Sequence, residues 1–286
     1  MQRHQRRYMQ INPRMEDSDT IDKCIRRHRA SRWRAGAWQQ VQDDLAEEVP
    51  VALEYNGISN AVMLATPSDL DEFALGFSLS EGIITSTRDC YEIEVEHGTV
   101  GITLHLRISN AAFMRLKERR RNLAGRTGCG LCGTESLGQV LRPLPRITPD
   151  QPLSATSIRS ALTSLQTLQP LNNITGSTHA AIWCTPDGNV RAGFEDVGRH
   201  NALDKLIGGM AKAQIDYQEG FALITSRASV EMVQKAATMH MPALVAISAP
   251  TALATRTAQD CGMTLIAFAR GEDFVGYANC MNIKLD

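Results

Sequence analysis

The sequence lacks the features of a membrane or exported protein. Its 286 residues contain no run of about 18 apolar residues, and the first residues form neither an apolar core nor a small-residue cleavage site. Aromatic residues make up only 5% of the chain, whereas 43% of the residues are hydrophobic and 21% are charged. This composition is typical of a globular protein that buries one large core or two smaller ones. We therefore expect a cytoplasmic protein without a membrane-spanning segment.

An excess of charge of one sign is also missing, because 30 Lys and Arg residues nearly balance 31 Asp and Glu residues. This balance argues against a nucleic-acid-binding protein. Basic residues are nevertheless concentrated near the N-terminus, at Arg26, Arg27, Arg29, Arg32 and Arg34. Because that segment shows little apolar periodicity, we interpret residues 1–40 as a flexible arm. It is either a solvated tail or an arm that docks on an acidic partner.

Cysteines are too few and too scattered for a disulfide framework, since there are seven in a long chain. Only Cys129 and Cys132 lie close together. The remaining five are expected to be ordinary packed or surface thiols; they are Cys24, Cys90, Cys184, Cys261 and Cys280.

The cysteine pair lies in Arg126-Thr-Gly-Cys-Gly-Leu-Cys-Gly-Thr134. Glycines around and within the pair disfavour a stiff helix or strand, so we expect a mobile loop. A structural zinc site needs further ligands at fixed spacing, and a thioredoxin-like site needs a helix N-terminus after a strand; neither context is evident. Two thiols on such a loop are suited to delivering a group. Arg126, beside the pair, would favour the thiolate form of these cysteines.

Turn and helix signals predict an α+β subdomain over residues 41–124. Asn56-Gly57 joins predicted strands over 49–55 and 58–65, because this dipeptide tolerates positive φ. Ser68 is the predicted cap of the next helix and Gly82 its end. A second strand pair over 91–96 and 100–108 and a helix over 111–123 follow, and then the cysteine loop and linker over 125–146.

After Pro143 and Pro145 the pattern changes to strands that alternate with helices. We predict strands over 179–184, 221–225, 243–248 and 263–269, and helices over 201–211, 229–239 and 251–259. This alternation predicts an α/β domain over 147–286 with a mostly parallel sheet covered on both faces. In such sheets ligands bind beyond the carboxyl ends of the strands.

Three polar segments precede helices at those strand ends. They are Glu195–Asn201, Thr225–Ser229 and Ser248–Thr251. Helix starts bind phosphate through free N–H groups, and Arg199, His200 and Arg227 add the donors of an anion site. The alternative is that these polar residues are only caps. His179 ends an apolar strand and is either a hydrogen-bonded structural residue or part of the site.

Several segments together resemble the formate dehydrogenase accessory sulfurtransferase (FdhD) family. They are Thr66-Pro-Ser-Asp-Leu-Asp-Glu-Phe-Ala-Leu-Gly-Phe77 with Ser80-Glu-Gly-Ile-Ile84, the Cys-Gly-Leu-Cys-Gly loop, Thr178-His-Ala-Ala181, Glu195-Asp-Val-Gly-Arg-His-Asn-Ala-Leu-Asp-Lys205 and Thr264-Leu-Ile-Ala-Phe-Ala-Arg-Gly271. Their order along the chain makes the resemblance specific from about Glu48 to the C-terminus.

The resemblance implies a three-layer cytidine-deaminase-like α/β fold, often dimeric. It also implies transfer of sulfane sulfur from a cysteine desulfurase to the molybdenum cofactor, bis-molybdopterin guanine dinucleotide, of formate dehydrogenase. Cys129 would then carry the persulfide, and Cys132 would either resolve it as a disulfide or help to release the sulfur by thiol exchange. GDP-like nucleotides would mimic the cofactor. The family's cofactor-binding stretch falls on Phe268, Ala269, Arg270, Gly271, Glu272 and Asp273. The chain departs from the family at Phe274-Val-Gly-Tyr277, which weakens the assignments of Glu272 and Asp273.

Two alternatives remain at the level of the sequence. A zinc deaminase uses a Cys-x-x-Cys pair and a Glu two residues after a zinc ligand, but no histidine here is followed by Glu at that spacing. We therefore predict no metal site. The other alternative is a non-catalytic chaperone for the cofactor or the apo-enzyme, in which the cysteines are incidental.

Overall fold

The computed structural model describes residues 18–124, 142–148 and 152–284. The strands are β1 Ile25–Arg34, β2 Ala37–Ala46, β3 Val49–Tyr55, β4 Ile58–Ala65, β5 Cys90–His97, β6 Ile102–Ile108, β7 His179–Cys184, β8 Val190–Asp196, β9 Phe221–Ile224, β10 Ala243–Ala246, β11 Thr264–Arg270 and β12 Asp273–Ala278. The helices are α1 Ser18–Lys23, α2 Leu70–Ser80, α3 Asn110–Ala124, α4 Ala155–Leu165, α5 Pro170–Thr175, α6 Arg199–Lys212, α7 Val230–Thr238 and α8 Ala252–Cys261. Among these residues no helix combines the length and hydropathy of a membrane span.

The first half of the chain builds a four-stranded sheet in the order β4-β3-β6-β5. Asn56 and Gly57 adopt φ values of 46° and 80°, which confirms the predicted tight turn between β3 and β4. Both predicted strand pairs are antiparallel hairpins, and β3 pairs in parallel with β6. Inward-facing side chains such as Leu53 and Leu104 are wholly buried, whereas the opposite face of the sheet is exposed.

The start of α2 differs from the prediction. Asp69 is the N-cap, with a left-handed φ of 51° and no side-chain cap bond, so the predicted cap at Ser68 is wrong. Ser68 instead donates its backbone N–H to the carbonyl of Thr66, which tightens the chain and shifts the helix start by one residue. Gly82 ends the helix as predicted, with a φ of 66°.

The second half builds a six-stranded sheet in the order β12-β11-β10-β9-β7-β8. Only β9, β10 and β11 pair in parallel, so the prediction of a mostly parallel sheet is wrong. The reason is local: β8 follows β7, and β12 follows β11, through short turns that leave no room for a helical crossover. Neither β8 nor β12 was predicted from the sequence.

Helices cover both faces of the six-stranded sheet. On one face α4 contributes Ile158, Ala161 and Leu165 to a core with the sheet. On the other face α6, α7 and α8 pack on the sheet, and α2 packs on α6, so that one hydrophobic cluster extends into the four-stranded sheet. Glycines allow this close approach: a Cβ atom at Gly208 would lie 1.9 Å from the carbonyl oxygen of Glu72.

The N-terminal segment also differs from the prediction. Residues 25–46 form a regular hairpin in which ten residues of β1 pair with ten residues of β2. The predicted flexible arm is therefore wrong for the part of residues 1–40 that lies in this hairpin. Ala35 and Gly36 form its turn with φ values of 51° and 83°. Most side chains on both faces are exposed, which explains why no apolar alternation marks these strands in the sequence. Residues 1–17 lie outside the described residues.

Candidate functional site

Four strands of the six-stranded sheet end at the same edge. β8, β9, β10 and β11 run in one direction, and α6, α7 and α8 begin after the first three of them. Backbone hydrogen bonds join the loops: Ala228 N–H donates to the carbonyl of Ala249 at 3.2 Å, and Phe268 N–H to that of Ser248 at 3.3 Å. The three polar segments predicted to share one edge therefore do so.

Asp196 fixes the turn into α6. One carboxylate oxygen accepts the Thr66 N–H at 3.1 Å and lies 2.7 Å from the Lys205 ammonium. The other accepts the Gly198 N–H at 2.8 Å and the Asn201 amide at 2.9 Å. The Asp196 and Lys205 side chains are fully buried. This set of contacts gives Asp196, Asn201 and Lys205 a structural role.

Glu195 supports the neighbouring helix α5. Its carboxylate accepts the backbone N–H groups of Leu171 and Asn172 and the hydroxyl of Thr178, each at 2.8 Å. Burial raises the pKa of Glu195, while these donors act in the opposite direction. The fold alone thus explains why the Glu195–Asn201 segment begins with an acidic residue.

Arg199 and His200 are different, because two of their buried nitrogen atoms have no partner in the described part of the chain. These atoms are Arg199 Nε and His200 Nε2. Buried donors without partners are rare and call for an explanation. Burial, together with the positive charges of Arg199 and Lys235, lowers the pKa of His200 to about 4. Arg199 thus supplies the positive charge at this position, next to a neutral imidazole.

The beginning of α6 adds backbone donors to these side chains. Its N-cap is Gly198, and no side chain caps the free N–H groups of the first turn. The α7 start at Ser229 also lacks a side-chain cap bond, whereas Thr251 caps α8 by accepting the Ala254 N–H at 3.2 Å. The alternative that these segments are only caps therefore explains Thr251, and at the start of α7 the Glu231 carboxylate already bonds the Ser229 hydroxyl and a backbone N–H. The first turn of α6 is left open to an anion.

His179 and Arg227 lie at the same edge. His179 starts β7 opposite Asp196, so the interpretation that it ends an apolar strand is wrong. Because β7 runs antiparallel to its neighbours, its start lies at this edge; burial lowers the pKa of His179, as does Arg199. Arg227 is exposed in the loop between β9 and α7. The structure brings both residues to the edge that carries Arg199 and His200, but it gives neither a direct ligand role.

The Phe268–Gly271 stretch lies further along this edge, at the end of β11. Phe268 has a left-handed φ of 52° and is 41% exposed, an uncommon conformation for an aromatic residue and one that often marks functional sites. Arg270 Nε donates to the carbonyl of Ile247 at 3.1 Å, and Ala269 is buried. Four strand spacings, or about 19 Å, separate β11 from β8, the strand that leads to Arg199 and His200. The two halves of the predicted site would therefore suit an extended ligand.

Glu272 and Asp273 occupy the turn from β11 to β12. The Glu272 carboxylate lies 3.3 Å from the guanidinium of Arg159 on α4 and is 82% exposed. Helix α4 covers the face opposite α6 and α7. Glu272 is thus directed away from Arg199 and His200 and has a protein partner of its own.

A buried ionic network that the sequence analysis missed links α2, α6 and α7. Lys235 Nζ donates to both carboxylate oxygens of Asp204 at 2.9 Å, to Glu81 at 2.8 Å and to the Ser80 hydroxyl at 3.0 Å. Ser80 and Glu81 belong to one of the segments singled out in the sequence, and Asp204 to another. Their pairing across 154 residues became visible only with the fold.

Both ends of the cysteine-bearing segment meet at Glu81. Arg119, on α3 before the segment, donates to the Glu81 carbonyl at 2.9 Å, and Arg142, directly after it, lies 3.6 Å from the Glu81 carboxylate. Burial alone would raise the pKa of Glu81, but Lys235, Arg142 and Arg119 together lower it. A cavity of about 490 Å³ opens here and is lined partly by Glu81, Arg119, Arg142 and His240. Cys129, Cys132 and Arg126 lie outside the described residues.

The described cysteines are poor nucleophiles. Burial raises the pKa of each thiol, at Cys24, Cys90, Cys184, Cys261 and Cys280. All five are free and at least partly buried, which confirms the prediction of ordinary packed thiols. Because the thiolate is the reactive form, sulfur chemistry is disfavoured at these positions.

Comparison with known proteins identifies the family. The profile of the FdhD/NarQ family matches residues 46–284. The chain belongs to this family. It is 55% identical over 254 residues to the sulfur carrier protein FdhD of Cupriavidus necator, covering 89% of this chain and 88% of that protein. It is 52% identical over 238 residues to the sulfur carrier protein FdhD of Variovorax paradoxus, covering 83% and 86% of the two chains.

A solved structure supports the fold. The chain is similar to the crystal structure of a protein described as a formate dehydrogenase accessory protein from Desulfotalea psychrophila, with a TM-score of 0.72. The match covers 91% of this chain and 100% of the other at 22% sequence identity. The mixed α/β architecture of the FdhD/NarQ family member is therefore shared, whereas the predicted cytidine-deaminase-like layering stays a prediction.

Proposed function

We propose that this chain is a sulfurtransferase that carries sulfane sulfur as a persulfide on Cys129, in the cytoplasm. It takes the sulfur from a cysteine desulfurase and passes it to the bis-molybdopterin guanine dinucleotide cofactor of formate dehydrogenase. The observation that carries this proposal is the pair of unpartnered buried nitrogen atoms, Arg199 Nε and His200 Nε2, at a sheet edge in a family whose relatives are named sulfur carriers.

The loading step exchanges one sulfur–sulfur bond for another. The Cys129 thiolate attacks the outer sulfur of the donor persulfide, a new bond forms to that sulfur, and the donor cysteine leaves as a thiolate. The five described cysteines have raised pKa values, so Cys129 and Cys132 are the thiols left to do this chemistry. Cationic Arg119 and Arg142 flank their segment and would favour thiolates nearby.

Release of the sulfur uses the second cysteine. Cys132 attacks the inner sulfur of the Cys129 persulfide, the outer sulfur leaves as sulfide for the molybdenum, and the two cysteines end as a disulfide. The electrons balance, because the sulfane sulfur gains the two electrons that the two thiols lose. A cellular thiol reductant then restores the pair.

The cofactor is the cargo, and its phosphate groups fit the donor set at the sheet edge. Arg199, the first turn of α6 and the neutral imidazole of His200 offer hydrogen bonds to a phosphate, with the Glu231 carboxylate at the start of α7 beside them. Phe268, Ala269, Arg270 and Gly271 follow a strand about 19 Å further along the edge, a separation that suits an extended dinucleotide. Glu272 and Asp273 contribute least in this arrangement, and GDP-like nucleotides would occupy one half of the site.

The two alternative functions, zinc deaminase and chaperone, require different sites. In the described part of the chain no three His, Cys, Asp or Glu side chains converge as metal ligands, so a zinc deaminase would have to build its site around Cys129 and Cys132. A chaperone would need neither thiol.

Restoration of formate dehydrogenase activity in cells that lack this protein separates the three functions. Wild-type protein and Cys280→Ala should restore activity, whereas Cys129→Ala should not. Full restoration by Cys129→Ala would favour the chaperone. Stoichiometric zinc in the purified protein, lost in Cys129→Ala, would favour the deaminase.

A further inference from the structure

The cavity of about 490 Å³ beside Glu81 has the size of a ligand site. Pockets that bind small molecules commonly have volumes of about 300–1,000 Å³. In the sulfur transfer proposed above, the arginines of this cavity serve only to favour thiolates nearby. That role gives the cavity itself no ligand.

The part of the sequence that carries these arginines is strongly basic. Residues 115–146 contain eight Arg and Lys residues against two Glu residues, which give this stretch a net charge of +6. The whole chain, in contrast, has a net charge of −1. Because the positive charge is concentrated in one stretch, an anion is the kind of ligand that this part of the protein attracts.

Two guanidinium groups line the cavity. Arg119 donates one N–H to the Glu81 carbonyl at 2.9 Å, and Arg142 lies 3.6 Å from the Glu81 carboxylate, beyond hydrogen-bond distance. A guanidinium has five N–H donors, so these contacts use a small part of what the two side chains offer. The planar fork of donors matches the oxygen atoms of an oxyanion. His240 lines the same cavity and is exposed.

The carboxylate of Glu81 does not cancel the charge of the two arginines. Lys235 Nζ donates to Glu81 at 2.8 Å and to Asp204 at 2.9 Å, and the Lys235 side chain is only 5% exposed. The cluster therefore has two acidic side chains against three cations. An anion in the cavity meets a net positive charge.

The cavity is close along the chain to the proposed sulfur chemistry. Cys129 lies ten positions after Arg119, and Arg142 lies ten positions after Cys132. Ten residues of extended chain span at most about 35 Å, so neither cysteine can be farther than this from its arginine. An anion that carries a sulfane sulfur of its own would thus be bound near the thiol that accepts sulfur.

We propose that this cavity binds a small divalent sulfur oxyanion of the thiosulfate type and that the chain uses it as a second sulfur donor. The inference rests on the proposed persulfide chemistry of Cys129. The Cys129 thiolate attacks the outer sulfur of thiosulfate, a bond forms between these two sulfur atoms, and the S–S bond of thiosulfate breaks. Sulfite leaves with the electron pair, so the step needs no oxidant or reductant.

Calorimetric titration with thiosulfate tests the binding site apart from the chemistry. Cys129→Ala, which lacks the accepting thiol, should bind thiosulfate, and sulfate should compete because it is also a small divalent oxyanion. Adding Arg119→Gln and Arg142→Gln should weaken binding at least about tenfold, since two cationic hydrogen-bond donors are lost. Adding Arg256→Gln instead, on the exposed surface of α8, is the matched control and should leave binding unchanged.

Intact-mass measurement on protein that retains Cys129 tests the transfer. Thiosulfate should add one sulfur to the wild type. The variant with both Gln substitutions should need at least about tenfold more thiosulfate for the same initial rate, because it binds this donor more weakly. The same variant should still take up sulfur from a cysteine desulfurase and cysteine, since that donor brings its own persulfide.

Four results would overturn the inference. Three concern binding: no binding at millimolar thiosulfate, equal affinity with and without the two Gln substitutions, and loss of binding on Arg199→Gln instead, which would place the anion at the start of α6. The fourth is sulfur uptake from the desulfurase without uptake from thiosulfate, which would leave the proposed function intact. Failure of both donors would instead count against the proposed function itself.

Thermal unfolding of each variant separates a lost site from a lost fold. Arg142→Gln alone replaces the double substitution if the latter is unstable, because it removes only the longer contact with Glu81. It should weaken thiosulfate binding in the same direction, and unchanged binding in this variant would overturn the inference as well.

Discussion

Lys205 and Asp196 form an ion pair at 2.7 Å in which both side chains are wholly buried. Lys205 also donates to the carbonyl oxygens of Thr66 and Glu195. The pair thus ties the end of β4 to the end of β8 and to α6. The ion pair stabilises the turn that carries Arg199 and His200. The two buried charges therefore have a structural role in the site.

Removing one member of this pair should be costly. Lys205→Met leaves the Asp196 carboxylate buried without its cation, and we expect a loss of about 3–5 kcal/mol in the free energy of unfolding. The control is Arg27→Ala, which breaks an exposed pair with Asp44 and should cost less than about 1 kcal/mol. Urea denaturation measures the free energy of unfolding of both variants. A loss for Lys205→Met no larger than that of the control would contradict the role given to the pair.

Stability should fall as the pH is lowered from about 6.5 to about 4, in part because of His200. Its folded pKa of about 4 lies below the ordinary histidine value of 6.5, so the unfolded chain binds the proton first and is favoured within this window. Between about pH 7.5 and pH 5 this residue should account for about 1–2 kcal/mol. His179 acts in the same direction, since burial lowers its pKa as well.

His200→Gln should therefore lose less free energy of unfolding than the wild type when the pH is lowered. The control is His97→Gln on the exposed end of β5. This variant should keep the wild-type dependence of stability on pH. Urea midpoints over the pH range make the comparison. An unchanged slope in His200→Gln would show that His200 is not buried as a neutral imidazole.

GDP should raise the melting temperature, because a ligand that binds only the folded state stabilises it by mass action. Arg199→Ala should reduce the shift, since it removes the cation at the start of α6. Arg256→Ala, on exposed α8, should leave the shift unchanged. Thermal unfolding with about 1 mM GDP provides the measurement. A shift of equal size in Arg199→Ala and wild type would remove Arg199 from the site.

Gly208 should not tolerate a side chain. Alanine there would place a Cβ atom 1.9 Å from the Glu72 carbonyl oxygen, so α2 and α6 would have to separate. We expect a loss of about 3 kcal/mol, although alanine in a helix interior otherwise stabilises by about 1 kcal/mol. Gly98→Ala, whose nearest contact would be at 3.2 Å, should change stability by less than about 1 kcal/mol. Equal effects of the two substitutions would contradict the helix packing.

Local sequence signals predicted the elements whose pattern is set by neighbouring residues. The bounds of β3, β4 and β7 were predicted to the residue, because turn residues and apolar runs mark them. β1 and β2 carry no such signal, since their side chains are exposed on both faces. β8 and β12 were missed because each pairs with the strand before it through a short turn, and no element was predicted over residues 190–196 or after residue 269.

The candidate site was predictable only in part. The Glu195–Asn201 segment indicated an anion site before the fold was known, but not which of its residues are structural. Asp196 and Asn201 turn out to hold the backbone, which leaves Arg199 and His200 for a ligand. The Lys235–Glu81 contact joins residues 154 positions apart, a relationship that local patterns do not contain.

Intact-mass measurement tests the central claim most directly. After incubation with a cysteine desulfurase and cysteine, wild-type protein should gain one sulfur that reductant removes, because the attacking thiolate keeps the outer sulfur of the donor persulfide. Cys280→Ala should gain it as well, and Cys129→Ala should not. Sulfur uptake by Cys129→Ala at the wild-type level would contradict the account.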